Sequence, residues 1–367
     1  MKTRFALIPF LAALFLFALT PTVLHAASAR HYAKAIKRGT RALQQWYSPQ
    51  SGLYAPSAGW WNSANAITVL VNESRVLKIR RYLSAIDNTF ENASAAEHTT
   101  NFLNNYDDDE GWWALAWVDA YDLTANPKYL IMAETIFADI AGEWETKTCG
   151  GGVWWNKKTG YKNAIANELF LELAAALANR ASSAEEKQKY LDWAQREWAW
   201  FRDSGMINAQ NLVNDGLDAT NPNACANNDG TTWSYNQGVI LGGLVELYKA
   251  DRDPALLPEA RAIAHATIAH LTDSNGILVD HSVSGGDAPQ FKGIFLRNLM
   301  ALDAAAPDAQ FKSFAEANAD SILARDQDAA SDRGTLWGAL WQGPFDKADA
   351  TRQTSALDAL IAAEAMR

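Results

Sequence analysis

Two kinds of apolar segment alternate along the chain. In residues 184 to 202, AEEKQKYLDWAQREWAWFR, the side chains Tyr190, Leu191, Trp193, Ala194, Trp198 and Phe201 gather on one side and the charges on the other. That spacing predicts an amphipathic helix with one face on a core. Residues 127 to 141, 256 to 271 and 308 to 325 read the same way. The second kind is apolar all round: WWALAWV at 112 to 118, much of AIANELFLELAAALA at 164 to 178, and GVILGGLVELY at 238 to 248. A helix that is apolar on every side is buried on every side. Alternating runs of Val, Ile and Thr, the mark of strands, are sparse.

The buried helices are expected to start near Trp61, Trp112, Asn163, Gln237, Phe291 and Arg352, at intervals of about 50 to 75 residues. Each interval has room for one amphipathic helix and a return loop. Six such pairs predict an all-α fold, an (α/α)6 barrel of six inner and six outer helices. Loops rich in Gly, Asn or Trp precede nearly every inner helix, among them SAGWWNSAN, NNYDDDEGWW, CGGGVWWNKKTGYKNA, NNDGTTWSYNQG and SGGDAPQFKG. In a ring of inner helices running the same way, these loops meet at one mouth, where binding residues concentrate.

The first residues break the pattern. MKTRFALIPFLAALFLFALTPTVLHAASA has a short basic start, an apolar stretch and small residues at Ala26, Ala27, Ser28 and Ala29. Residues 1–29 are therefore expected to be a secretory signal peptide, with residues 30–367 forming a single barrel domain. An uncleaved membrane anchor is the rival reading; Pro9, Pro21 and the small-residue end favour cleavage. The expected location is extracellular, with no membrane attachment once the signal is removed.

Charge and composition narrow the partners. Removing Lys2 and Arg4 takes the formal charge from −10 to −12, and no basic cluster stands out. This argues against nucleic acid and anionic membrane surfaces. Fifteen tryptophans are a heavy load for 367 residues. Their faces stack on the C–H faces of sugar rings, which suggests a carbohydrate cleft, although a tryptophan-rich core explains the count equally well. The two cysteines, Cys149 and Cys225, exclude a zinc site of cysteines by number. Export permits a disulfide, and two buried thiols are the alternative. The sequons at Asn72 and Asn92 are possible glycan sites in a eukaryotic host.

Cofactor chemistry finds no foothold. The sequence has no G-x-S-x-G elbow, P-loop or strand-linked G-x-G-x-x-G. His265 and His270 are five apart and share no metal face. The Asn- and Asp-rich loop 214 to 229 lacks the EF-hand spacing and reads as a plain surface loop. No metal and no cofactor are expected, and the chain is expected to be monomeric.

One loop poses a chemical question. NNYDDDEGWWALAWVDAYD, residues 104 to 122, sets Asp107, Asp108, Asp109 and Glu110 in front of an apolar run. A helix start favours negative charge, so an N-cap Asp and a capping-box Glu account for part of the cluster. Capping does not call for three consecutive aspartates beside Trp112 and Trp113. A pair of carboxylates that cleaves a glycosidic bond does, one protonating the leaving oxygen and the other attacking the anomeric carbon or activating water. Neighbouring side chains suit the shorter separation of a retaining enzyme.

The segments DDEGWWALAW, CGGGVWW, YKNAIANELF and WSYNQG occur in the order found in glycoside hydrolase family 76, the endo-α-1,6-mannanases and related fungal cell-wall transglycosidases. The chain resembles that family from about residue 35 onward. The resemblance implies an (α/α)6 barrel and a retaining endo-α-1,6-mannanase acting on α-mannan or manno-oligosaccharides. A cell-wall transglycosidase with the same acids and a catalytically silent mannan-binding protein are the alternatives. It implies Asp108 as nucleophile and Asp109 as general acid/base, with Asp107 leaving the register open by one position. Trp112, Trp113, Asn163, Asp215, Tyr235, Asn236 and Gln237 are then expected to bind substrate, with Lys162, Lys292 and Arg297 as weaker candidates. Cys149 and Cys225 fall in two mouth loops of such a barrel, where a disulfide would clamp the rim.

Overall fold

The computed structural model describes residues 21–158, 160–328 and 335–367, with side chains from residue 31. Residues 1–20 of the expected signal peptide lie outside the described residues. The inner helices are α2 (Trp60–Leu77), α4 (Asp107–Thr124), α6 (Ala164–Arg180), α8 (Ser234–Asp251), α10 (Phe291–Ala305) and α12 (Ala350–Ala365). The outer ones are α1 (Pro21–Leu43), α3 (Leu83–Ala96), α5 (Pro127–Gly142), α7 (Ala184–Asp203), α9 (Leu256–His270) and α11 (Ala309–Arg325). Their alternation is the (α/α)6 barrel that the apolar pattern predicts. Strand is confined to two antiparallel ribbons among the described residues, Leu217–Asp218 with Ala226–Asn227 and Gln327–Asp328 with Leu336–Trp337.

Each inner helix packs on the next, and α12 packs back on α2, so the inner ring closes. Nearly every residue of α6, α8 and α12 is buried, as expected of helices enclosed on all sides. Small residues bring the backbones together. A Cβ on Gly293 of α10 would stand 2.5 Å from the Ser355 Cα of α12, so the two helices touch backbone to backbone. The outer helices bury one stripe each; in α7 that stripe is Tyr190, Leu191, Ala194, Trp198 and Phe201.

Local signals fix where the helices begin. Asn163, Ser183, Asp308 and Asp349 each accept a hydrogen bond from a backbone N–H of the first turn, the usual service of an N-cap. Helix ends are less conventional. α2, α4 and α8 end on Lys78, Ala125 and Arg252 in the left-handed region, at φ 54°, 57° and 66°, where glycine is the common choice. Asn72 lies buried within α2, so the first sequon is closed to a glycan in the folded chain.

Candidate active site

The first turn of α4 sends its four acids to two sides. Tyr106, in extended conformation, occupies the N-cap and makes no side-chain cap bond. No aspartate caps this helix, contrary to the expectation from sequence, because Asp107 already lies inside the first turn. At 3.6 residues per turn, Asp107 and Glu110 share a face that Asp108 and Asp109 turn away from.

Asp107 and Glu110 are fully buried and serve the scaffold. Glu110 accepts from the Asn104 backbone N–H at 2.8 Å and from Lys157 Nζ at 2.5 Å. Lys157 also bonds Asp139 and comes within 3.5 Å of Asp107. Burial pushes Asp107 up to about 7 and Glu110 up to about 8, with Lys157 pulling against it in both. The half-buried Lys157 ammonium is what lets the acids stand here.

Asp108 and Asp109 have a different environment. Asp108 Oδ2 accepts from the Trp155 indole at 3.2 Å, and its Oδ1 is buried without a protein partner. Burial first, and then the charge of Asp109, holds the Asp108 carboxyl well above the ordinary range. Asp109 Oδ2 accepts from the Asn104 side-chain amide at 2.7 Å. Burial pushes Asp109 up to about 6; the Asn104 bond opposes the rise and the charge of Asp287 adds to it. Two carboxyls so coupled share out their protons, one being held near neutral pH at the expense of the other.

Asp108 opens onto a cleft of about 210 Å³ at the mouth of the barrel. Specific small-molecule sites run to about 300–1,000 Å³, so this volume suits one subsite of an open groove. Of the expected binding residues, Trp112, Asn163, Asp215 and Tyr235 line it with Asp108. Asp109, the next residue along, is not part of that lining. Tyr161 donates to Asp215 Oδ2 at 2.6 Å, and Asn228 donates to the Tyr161 hydroxyl at 3.0 Å, so this wall is a hydrogen-bonded chain. The opposite character comes from rings: Trp61 stacks on Trp112 at 5.4 Å, and Tyr235 on Phe291 at 3.9 Å and 8°. Polar edges and flat aromatic faces together match the hydroxyls and C–H faces of a sugar. Among the described residues the cleft wall holds three aspartates and no basic side chain.

Other expected binders lie elsewhere. Trp113 is fully buried and packs in the core on Trp60, Phe102 and Trp117, since it points outward from the ring rather than toward its mouth. Gln237 is also buried; its amide donates to Val213 O and accepts from Val213 N–H, both at 2.8 Å, pinning the loop that carries Asp215. Asn236 is buried with neither amide atom bonded to protein. Lys162 is enclosed by Glu145 Oε1 and the carbonyls of Thr148 and Gly151, so it is a loop anchor. Lys292 donates to Ala339 O beneath the Trp341 ring, and Arg297 pairs with Asp358 and Asn65 inside the barrel. Cys149 and Cys225 are bonded to each other, their Cα atoms 5.1 Å apart, and join the Gly-rich loop to the loop beyond Asp215.

Trp61, Trp155, Tyr161, Asp287 and Phe291 line the cleft as well, beyond the binding residues expected from the sequence. Their signal was positional: each sits in or next to a mouth loop, directly before an inner helix. Among the described residues, no group of three or more His, Cys, Asp or Glu side chains is placed to hold a metal ion, and no helix is long and apolar enough to cross a membrane.

Comparison with known proteins supplies the family. Residues 26–367 match Glycosyl hydrolase family 76. The chain is 27% identical over 347 residues to mannan endo-1,6-alpha-mannosidase DFG5 of Candida albicans, covering 86% of this chain and 74% of that one. It superposes with a TM-score of 0.80 and 21% identity on an α-1,6-mannanase of Salegentibacter sp., over 92% of this chain and all of that one. That mannanase was captured as an inactive variant, two consecutive aspartates replaced by asparagine, in complex with α-1,6-mannotriose. Dfg5 from Chaetomium thermophilum, in complex with glucosamine, matches with a TM-score of 0.78 and 19% identity over 92% of this chain and 90% of that one.

Proposed function

The chain belongs to glycoside hydrolase family 76, and on that premise we propose that it is a retaining endo-α-1,6-mannanase whose reacting groups are Asp108 and Asp109. The observation that carries this reading is the division of the four acids: Asp107 and Glu110 are spent on Lys157, which leaves Asp108, a lining residue of the cleft, with Asp109 beside it. The names of the curated relatives and the paired aspartates replaced in the inactive Salegentibacter variant support it.

In this mechanism Asp108 attacks the anomeric carbon while Asp109 protonates the departing glycosidic oxygen. The first half-reaction leaves a covalent mannosyl ester on Asp108. Asp109, now a carboxylate, takes a proton from the incoming water, and attack of that water frees the manno-oligosaccharide from Asp108 with its anomeric configuration retained. Burial and the charge of Asp109 hold the Asp108 carboxyl up, and the Trp155 indole bond works against them, toward the charged form that a nucleophile requires. Burial and the charge of Asp287 favour the protonated form of Asp109, as an acid requires. Residues 1–29 are the proposed leader of a secreted, monomeric enzyme.

The test is product release from unbranched α-1,6-mannan by wild type, Asp107→Asn, Asp108→Asn and Asp109→Asn, with the first product's anomer read by NMR. Oligosaccharides of α configuration, lost in the Asp108 and Asp109 variants, are the expected result. Loss with Asp107→Asn and full activity with Asp109→Asn would move the pair by one position. Transfer to an added sugar in place of hydrolysis would reassign the protein as a transglycosidase, and binding without turnover as a mannan-binding protein.

A further inference from the structure

Asp287 lies in the loop before α10, about 180 residues from the acids of α4, yet it lines the same cleft. Its Oδ1 accepts from the Trp61 indole N–H at 3.0 Å. Trp61 is a half-buried ring at the start of α2, and it stacks on Trp112 at 5.4 Å and on Phe291 at 6.3 Å. Stacking restrains the tilt of an indole but leaves it free to slide in its own plane; a hydrogen bond to its one polar atom fixes that remaining freedom. The same carboxylate supplies charge. The ionisable groups that bear on Asp109 are its neighbour Asp108 and, from the other loop, Asp287, while the nearby cation Lys157 is occupied by Glu110, Asp107 and Asp139.

We propose that Asp287 is a positioning residue for this site, fixing the Trp61 indole as an aromatic wall of the sugar cleft and placing a negative charge near the Asp108–Asp109 pair. The inference rests on Asp108 and Asp109 being the reacting acids. The charge opposes ionisation of Asp109 and so keeps the general acid protonated to higher pH.

Two substitutions separate the roles. Asp287→Asn keeps an oxygen that can accept from Trp61 and removes the charge; Asp287→Ala removes both. The pH profile of kcat/KM is recorded on α-1,6-manno-oligosaccharides, and oligosaccharide affinity is measured by calorimetry at one pH. For Asp287→Asn the alkaline limb is expected to move to lower pH, with affinity within about twofold of wild type. For Asp287→Ala the same movement is expected together with binding weaker by roughly tenfold, the scale of one aromatic contact. An unmoved alkaline limb in both variants overturns the charge role. Equal affinity in Asp287→Asn and Asp287→Ala overturns the wall role. A merely structural aspartate would lower the melting temperature and leave profile and affinity alone, which overturns both. If wild type binds oligosaccharide without cleaving it, the catalytic reading fails while the affinity comparison still decides the wall. If it neither binds nor cleaves, the proposal falls with the function it rests on.

Discussion

The indole N–H of Trp155 donates to Oδ2 of Asp108 at 3.2 Å, and this is the only hydrogen bond from a side chain that the Asp108 carboxylate accepts among the described residues. It ties the acid on α4 to the loop that leads into α6. Removing it with Trp155→Phe should raise the pKa of Asp108, because the bond favours the ionised form. The acid limb of the pH profile should therefore move to higher pH, and kcat/KM at neutral pH should fall by roughly 10- to 100-fold. An unchanged acid limb would separate Asp108 from the nucleophile's role.

Lys157 is the counterion of two fully buried acids, and its loss should be felt in stability. Lys157→Met leaves Asp107 and Glu110 buried with no cation, a change of about 3–5 kcal/mol in other buried pairs. The lesion should shrink on acidification, because protonated acids need no partner. Denaturant titrations of both proteins at pH 5 and pH 8 measure this directly; equal losses at the two values would refute it.

Wild-type stability should also depend on pH in a definite direction. Burial pushes Asp107, Glu110, Glu73, Glu172, Glu197, Asp326 and Asp358 up to about 7 to 8. Each binds its proton more tightly folded than unfolded, so its contribution is fully present below about pH 4 and is lost as pH rises through about 8. The melting temperature is expected to be higher near pH 5 than near pH 8.5. Scanning calorimetry across that range would contradict this if stability rose steadily with pH.

The neighbours Trp112 and Trp113 should fail in different ways. Trp113→Ala opens a hole among Trp60, Phe102 and Trp117 and should cost about 3–5 kcal/mol of stability. Folded Trp113→Ala should bind substrate with little change. Trp112→Ala touches the cleft and should raise KM or weaken oligosaccharide affinity. Melting curves paired with kinetics distinguish the two, and a reversed pattern would exchange their assignments.

Much of this was legible in the sequence, and the physical reason is the repeat. Inner helices expected near Trp61, Asn163, Gln237, Phe291 and Arg352 start within three residues of those positions, since an all-apolar helix following a polar loop is a strong signal; the one expected near Trp112 starts five residues earlier, at Asp107, because its acidic first turn reads as loop. Their ends were less visible: Lys78, Ala125 and Arg252 take the left-handed conformation without being glycine or asparagine. Asn163 and Tyr235, which line the cleft, were legible because loops at helix starts converge at the mouth; Asp108, Trp112 and Asp215, which line it too, were singled out by the family resemblance. Trp113 and Gln237 were misplaced for the converse reason. A helix apolar on every side does not reveal which side faces the lumen, and a polar residue on it is as free to pin a loop as to meet a ligand. Trp61 and Phe291 escaped because an aromatic at the start of a buried helix looks like core.

The contact between α12 and α2 makes the inner helices a circle. A linear array of repeats has two end units that fray first and must be capped against solvent. A circle has none, and every inner helix is flanked on both sides. Closing it joins segments nearly 300 residues apart in sequence, so the last step of folding carries a large entropic cost and returns contacts to all six pairs at once. Amide hydrogens of α2 and α12 should accordingly exchange no faster than those of α6 and α8, although the first two sit near opposite termini of the chain.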